Sequence, residues 1–261
     1  MDNVRNPAVA GLFYPDDPRE LRALLTGYLA AARSAGPVPK AIIAPHAGYI
    51  YSGPIAASAY ARLKPARGTI TRVVLLGPAH RVGFRGLALP SADFFVTPLG
   101  RIAVDREAVA KISALPQVHV KDAAHAQEHS LEVHLPFLQE VLGDFQLVPL
   151  VVGDADTEDV GEVLDILWGG PETLIVISSD LSHYHDYRTA QRLDRATSEA
   201  IEQLRPQDID YDSACGRNPV NGLLHVARKL GLKANTIDLR NSGDTAGAHD
   251  RVVGYGAYVF E

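Results

Sequence analysis

Cysteine is almost absent from the 261-residue chain, in which Cys215 is the single one. No internal disulfide can form, and this composition is typical of a reducing compartment, so we expect a cytoplasmic protein. We expect a structural role for Cys215, because no base neighbours it in the sequence and free cysteines are usually buried. Arg217, two residues on, is equally compatible with an anion site and with a salt bridge.

Long apolar runs and basic clusters are also missing. No stretch reaches the roughly 18 apolar residues that a membrane span needs, and the first residues, MDNVRNPAVAGLFYP, lack the charged-then-apolar arrangement of a signal peptide. The net charge is −6 and no basic stripe is present. Nucleic acids and membranes are therefore not expected as partners.

Apolar segments alternate with helical patterns along the whole chain, and several of these segments are continuous rather than alternating. This pattern predicts one α/β domain, residues 1–261, built as an α/β/α sandwich on a largely parallel sheet. Helices are expected after the N-cap Asp17, over 55–63, 105–115 and 158–167, and, interrupted by Pro136, within HAQEHSLEVHLPFLQEVL. The expected strands include those ending near residues 46, 80 and 180 and two in the tail, NTIDL and RVVGYGAYVF.

Chemically active side chains follow the ends of predicted strands. His46 follows AIIAP, His80 follows VVLLGPA, Asp180 and His183 follow TLIVISS, and Asp244 lies beyond NTIDL. Ligands in open α/β sheets bind at the carboxyl ends of strands, so we expect these side chains to converge. Ordinary alternatives exist: either histidine can cap its strand, Asp180 can cap a helix, and Asp244 can belong to a Ser-Gly-Asp turn.

Imidazole and carboxylate together suit a first-row metal. Two histidines and one carboxylate with open positions form the facial arrangement of non-haem Fe(II) sites, and zinc accepts similar ligands. A further histidine nearby could then act as a general base.

A competing motif is HAQEH, His125 to His129, which matches the H-x-x-E-H pattern of inverted zinc proteases. It predicts a zinc hydrolase with Glu128 as the base. Patterns of five residues arise by chance, Pro136 crowds the helix, and no distant glutamate ligand stands out. We therefore favour Glu128 and His129 as a pair that faces the strand-end site.

The stretches AGLFYP, APHAGYIYSG, GPAH, TPLG, EHSLEVHLPF, VVGD, SSDLSHY, CGRNP and VVGYGAY occur in the order found in the Memo family. From about residue 5 to residue 260 the chain resembles that family, whose fold is similar to class III extradiol ring-cleaving dioxygenases. The resemblance implies an α/β/α sandwich with a metal site. It implies that His46 and His80 are metal ligands and that Asp180, His183 and His129 line the same cavity.

One departure concerns the third ligand. The animal member of the family has a cysteine near the chain end, where this sequence has RNSGDTAG. We expect Asp244 to take that place, which would restore a two-histidine, one-carboxylate set and would count against copper chemistry that needs a thiolate.

Three functions follow as hypotheses. In the first, His46, His80 and Asp244 hold Fe(II), with Zn or Cu possible, His183 oriented by Asp180 is the acid or base, and His129 stabilises charge on bound oxygen or a small-molecule substrate. Tyr49 and Tyr51 would shape the mouth of that site. In the second, the protein binds metal without turnover and works with a radical-SAM partner, as the resemblance suggests. The third is the zinc hydrolase.

Overall fold

A mixed sheet forms the centre of the structure, a computed structural model that describes residues 2–33 and 35–261. Met1 and Ser34 of the predicted domain lie outside the described residues. The strands are β1 Val4–Arg5, β2 Ala41–Ala44, β3 Arg72–Pro78, β4 Leu87–Leu89, β5 Phe94–Thr97, β6 Gly100–Val104, β7 Val118–Val120, β8 Gln146–Val152, β9 Thr173–Ser178, β10 His183–His185, β11 Ala234–Asn241 and β12 Val252–Phe260.

The helices lie between these strands. They are α1 Pro18–Ala31, α2 Tyr49–Ala61, α3 Arg106–Ile112, α4 Asp122–Ala126, α5 Leu135–Leu142, α6 Thr157–Leu167, α7 Tyr187–Glu202 and α8 Arg217–Leu230. Short 3-10 turns cover Lys64–Ala66, Glu132–His134, Pro206–Asp208 and Ser242–Asp244.

The strand order is β1-β5-β6-β8-β3-β9-β2-β12-β10, with β11 on β12 and β4 joining β8 to β7. The five inner strands from β6 to β2 are all parallel, whereas β12 is antiparallel to β2, β10 and β11. The expected α/β class with a largely parallel centre is confirmed.

Burial on both faces explains the apolar runs of the central strands. Residues 41–44 of β2 and 173–178 of β9 are buried without exception, as is β3 from Val73 onward. Helices α1, α2 and α5 contact one another on one face, while α8 packs on β3 and β9 with α6 against it. No alternating pattern arises, because neither face of these strands meets water.

One helix starts earlier than expected, and the segment around Pro136 takes one of its two expected forms. Helix α2 begins at Tyr49, directly after Gly48, and contains Pro54 in its interior, whereas the sequence predicted a start at residue 55. The segment around Pro136 is two separate helices, α4 and α5, joined through a 3-10 turn, which is one of the two outcomes that the proline predicted. Helix α3 begins after Asp105, whose carboxylate accepts a hydrogen bond from the backbone N–H of Ala108.

Across the part of the chain that the structure describes, no helix combines the length and the apolar character needed to span a bilayer.

Candidate metal centre

Three neighbouring parallel strands bring three predicted residues to one edge of the sheet. His80 lies just beyond β3, Asp180 beyond β9 and His46 beyond β2, and these strands are adjacent in the order β3-β9-β2. The ring centroids of His46 and His80 lie 5.0 Å apart. The convergence that strand-end reasoning predicted is present for these three side chains.

Cys215 completes the cluster, which the sequence did not predict. Its Sγ lies 3.3 Å from Nε2 of His46, and one donor atom from each of His46, His80 and Cys215 lies within 4.8 Å of the others. We expected a structural role for Cys215, but the structure places it among the possible metal ligands. The family motif CGRNP carried the signal, but no base lies beside Cys215 in the sequence because its neighbour comes from a strand end 169 residues away.

Gly216 allows the segment that leads from Cys215 into α8 to lie close to the end of β9. A Cβ at Gly216 would lie 2.5 Å from the carbonyl oxygen of Ser178 and 2.7 Å from Cβ of Ser179, so a side chain there would push the start of α8 away from β9. The backbone N–H of Gly216 donates to Oγ of Ser179, and that of Cys215 donates to the carbonyl oxygen of Asp180.

Ser178 fixes the orientation of His46. Its hydroxyl donates to the carbonyl oxygen of Ser130 at 2.6 Å, so the oxygen is left to accept from Nδ1–H of His46, also at 2.6 Å. The proton of the neutral imidazole then resides on Nδ1, and the lone pair of Nε2 faces Cys215.

Glu128 fixes the orientation of the His80 ring. Its carboxylate accepts from Nδ1 of His80 at 2.9 Å and from the backbone N–H groups of His80, His129 and Ser130. Although burial raises the pKa of this carboxyl, the hydrogen bonds from His80 and Ser130 outweigh it and lower the pKa to about 2. A carboxylate that accepts from Nδ1–H leaves Nε2 of His80 free to bind a cation.

His129 lies beside both histidines. Its ring stacks on His80 at 4.6 Å and meets His46 edge-on at 5.4 Å. Nδ1 of His129 is 3.3 Å from Glu128, yet its orientation gives no hydrogen bond and leaves the atom without a partner among the described residues. Together His80, Glu128 and His129 form a second group of possible metal ligands.

Asp180 contacts His46 rather than His183. Its Oδ1 accepts from the backbone N–H of His46 at 2.8 Å, and its Oδ2 lies 3.9 Å from Nε2 of the same residue. Among the described residues no hydrogen bond joins Asp180 to His183, whose ring lies 5.7 Å from that of Tyr184. The expected orientation of His183 by Asp180 is absent from the structure.

Asp244 lies apart from the cluster. It belongs to the 3-10 turn after β11, where its carboxylate accepts from the backbone N–H of Asn241 and the hydroxyl of Tyr187. Strand β11 does end at the same edge as β2, but β12 lies between them. That intervening strand explains why Asp244 is in neither group of possible ligands while Cys215 is.

The remaining residues singled out in the sequence belong to neither group of possible ligands. Tyr49 is buried and donates to the carbonyl oxygen of Val133 at 2.6 Å, so it packs in the core, whereas Tyr51 is half-buried. His125 is buried and bonds the carbonyl oxygen of Ala88. Helix α4 ends at Ala126, so the HAQEH segment is not the single helical turn that a zinc protease motif needs. Arg217 stacks on Tyr211 at 3.6 Å.

Burial controls the protonation of the site. Desolvation, with the nearby His80 and His129, holds the pKa of His46 well below its ordinary value, and burial lowers the pKa of His129 to about 4. These imidazoles are neutral at pH 7 and keep lone pairs for a cation. Burial raises the pKa of Asp180 to about 7, and burial with Asp180 raises the pKa of the Cys215 thiol.

The donor set fits a first-row cation. Ligands about 2.0–2.3 Å from a tetrahedral metal lie roughly 3.5 Å from one another, close to the 3.3 Å between Cys215 Sγ and His46 Nε2. Both imidazoles have their Nδ1 groups occupied and their Nε2 groups available, as in metal sites with ordered outer-shell partners. Two imidazoles and a thiol suit zinc, iron or copper.

The fold and the site define an α/β protein with a cluster of histidines and one cysteine at the carboxyl edge of a parallel sheet. The family model described as "Memo-like protein" matches residues 5–259, and the chain belongs to the Memo family. A MEMO1 family protein of Aquifex aeolicus is 38% identical over 268 residues, with 98% of this chain and 99% of the relative covered. A MEMO1 family protein of Ignicoccus hospitalis is 36% identical, with 98% of each covered.

Proposed function

We propose that His46, His80 and Cys215 hold a divalent first-row metal, Fe(II) in the first place, and that the protein is a metal-dependent redox enzyme acting on a small molecule. The observation that supports this proposal is the meeting of three soft or borderline donors within 4.8 Å, two of them with their second nitrogen already hydrogen-bonded. Bound iron would supply one-electron chemistry and a Lewis acid to a substrate.

The surrounding side chains supply proton chemistry in this proposal. His129 carries an unpaired Nδ1 and faces both histidines, so it can stabilise charge that develops on the substrate. His183 is the further acid or base, and Asp180 holds the loop of His46 through the backbone N–H. Asp244 has no part in this set, because its carboxylate is engaged in its own turn.

Metal analysis tests the metal centre directly. We expect protein purified without added metal to retain about one equivalent per chain, and His46→Ala, His80→Ala and Cys215→Ala each to lose it. His125→Ala and Asp244→Ala are the matched controls and should retain it. Loss of metal in His125→Ala with retention in Cys215→Ala would overturn the assignment in favour of the zinc hydrolase.

A second measurement addresses the redox proposal. Anaerobic protein loaded with Fe(II) and exposed to nitric oxide should give a ferrous nitrosyl signal, and catechols should perturb it if they bind at the same place. A metal-loaded protein without that signal would contradict an open iron site while leaving the ligand assignment intact.

Exposed apolar side chains beside the site favour a second candidate, an accessory protein that works with a radical-SAM partner. Leu12 and Ile50 are 79% and 59% exposed, and they flank Phe13 and Tyr49, which are joined by a backbone hydrogen bond. The Phe13 ring lies 4.9 Å from His129. Titration with the purified partner should show binding that Leu12→Ser weakens, whereas turnover without any partner would favour the enzyme.

A further inference from the structure

Three buried tyrosines donate to three consecutive residues of one 3-10 turn. Tyr14 bonds the carboxylate of Glu132, Tyr49 bonds the carbonyl oxygen of Val133, and Tyr60 bonds Nδ1 of His134. The three phenols differ in the basicity of the group that each one faces. A peptide carbonyl cannot retain a proton, and the Glu132 carboxylate is also shared among Arg5, Ala8 and Val9. Only Tyr60 faces an imidazole.

The direction of the Tyr60–His134 hydrogen bond follows from the unpaired atoms. The two atoms lie 2.7 Å apart, and Nε2 of His134 has no partner among the described residues. If Nδ1 donated, both the phenol hydrogen and Nε2 would be unsatisfied in a site where Tyr60 and His134 are 0% and 1% exposed. If Tyr60 donates, only Nε2–H is unsatisfied, which costs less. Nδ1 is therefore the acceptor.

We propose that Tyr60 and His134 form a buried proton-coupled redox pair. One electron leaves the phenol to a high-potential, outer-sphere transition-metal complex, and the O–H bond breaks as its proton passes to Nδ1 of His134. The products are a neutral phenoxyl radical, an imidazolium and the reduced oxidant. Oxidation without that transfer would leave a phenol radical cation, which is far less stable than a neutral phenoxyl radical beside an imidazolium.

Proton transfer from the oxidised Tyr60 to His134 is favourable even though burial lowers the pKa of His134 to about 3, because an oxidised phenol is a far stronger acid than imidazolium.

Aromatic rings connect this pair to the neighbourhood of the metal centre. Tyr60 stacks on Phe137 at 4.9 Å with 10° between the planes, and Phe137 lies 5.1 Å from Tyr49. Tyr49 lies 5.5 Å from Tyr14, the residue that follows Phe13, whose ring contacts His129. Such a row offers short steps for an electron between Tyr14 and Tyr60.

The test uses metal-free, full-length protein, so its outcome does not depend on the metal assignment. Photogenerated tris(bipyridine)ruthenium(III) is the oxidant, and electron paramagnetic resonance is recorded after radicals on exposed tyrosines have decayed. We expect a long-lived tyrosyl signal in wild type and in Tyr258→Phe, which removes a buried phenol that is bonded to the Ser198 hydroxyl and lies outside the row of rings. Tyr60→Phe should lose it.

A second readout needs no variant. Labelling histidine with the heavy nitrogen isotope should change the hyperfine coupling of the wild-type radical, because the spin centre is hydrogen-bonded to an imidazole. Absence of a long-lived radical in wild type, its persistence in Tyr60→Phe, or a spectrum unaffected by the label would each overturn the proposal.

Discussion

Ser178 fixes the tautomer of His46, because its hydroxyl hydrogen is already committed to the carbonyl oxygen of Ser130 and its oxygen can only accept. The result is an imidazole whose Nε2 lone pair faces Cys215. An isolated histidine would populate both tautomers. A serine whose hydroxyl hydrogen could rotate freely would favour neither tautomer, because its oxygen could donate or accept.

Replacing Ser178 with alanine should therefore weaken metal binding without removing a ligand. We expect a loss in affinity of about 10- to 100-fold, which is typical for outer-shell partners of ligating histidines. A competition titration against a chromophoric chelator measures it. Ser198→Ala, which removes another buried serine hydroxyl that bonds Tyr258, is the control and should leave the affinity unchanged. Equal affinities in wild type and Ser178→Ala would contradict a role in orienting His46.

Gly216→Ala tests the close approach of α8 to β9. Because the new Cβ would lie 2.5 Å from a backbone oxygen, the start of the helix has to move, and Cys215 moves with it. We expect a loss of about 1–3 kcal/mol in the free energy of unfolding, as for other overpacked sites, together with reduced metal uptake.

Gly27→Ala in α1 is the matched control for this variant. A Cβ there meets nothing within 4 Å, so the helix should gain about 0.5–1 kcal/mol from alanine. Denaturant unfolding of the two variants beside wild type gives both values. A Gly216→Ala protein as stable as Gly27→Ala would show that the interface between α8 and β9 adapts freely.

The sequence allowed prediction of the strand-end half of the site. Residues such as Ile42, Ile43 and Val74 lie in continuous apolar runs that end at Pro or Gly, and parallel neighbours share an edge, so His46 and His80 could be expected to meet. The local pattern placed both histidines at strand ends, and they meet because β2, β9 and β3 are adjacent in the sheet.

The remaining half depends on tertiary packing. Cys215 reaches the site through the contact of a helix start with β9, and no periodicity encodes such a contact. Asp244, the expected third ligand, lies outside both groups of possible ligands for a related reason. Strand order is not readable from a strand's own residues, and β12 separates β11 from β2. The hydrogen bonds of Glu128 depend likewise on a loop that only the fold places beside His80.

Asp194 should make the protein less stable as the pH rises. Burial raises its pKa to about 6, above the ordinary value near 3.9. Between these two values the folded state holds a proton that the unfolded state has released, so stability falls with rising pH by about 3 kcal/mol in total. Asp194→Asn keeps an oxygen to accept from the backbone N–H of Ser182 and has no proton to lose.

The measurement for Asp194 is the free energy of unfolding from pH 4 to pH 8. We expect Asp194→Asn to be more stable than wild type at pH 8, with the difference vanishing near pH 4. Asp208→Asn, at a side chain that is 41% exposed, should reproduce the wild-type curve. Parallel curves for wild type and Asp194→Asn would show that the carboxyl titrates alike in both states.

The buried carboxylate of Glu132 holds the N-terminal segment against the 3-10 turn Glu132–His134. It is 0% exposed and accepts from the guanidinium of Arg5, two backbone N–H groups and the hydroxyl of Tyr14. Glu132→Gln replaces one acceptor oxygen by a donor that faces other donors, and it leaves Arg5 buried without a counter-charge. We expect a loss of about 3–5 kcal/mol in the free energy of unfolding, measured by urea titration.

The control is Asp2→Asn, which breaks the exposed ion pair with Arg101 and should cost less than about 1 kcal/mol. Similar losses in the two variants would mean that the Glu132 cluster reorganises around water, and the segment carrying Phe13 would then be held against His129 by its other contacts.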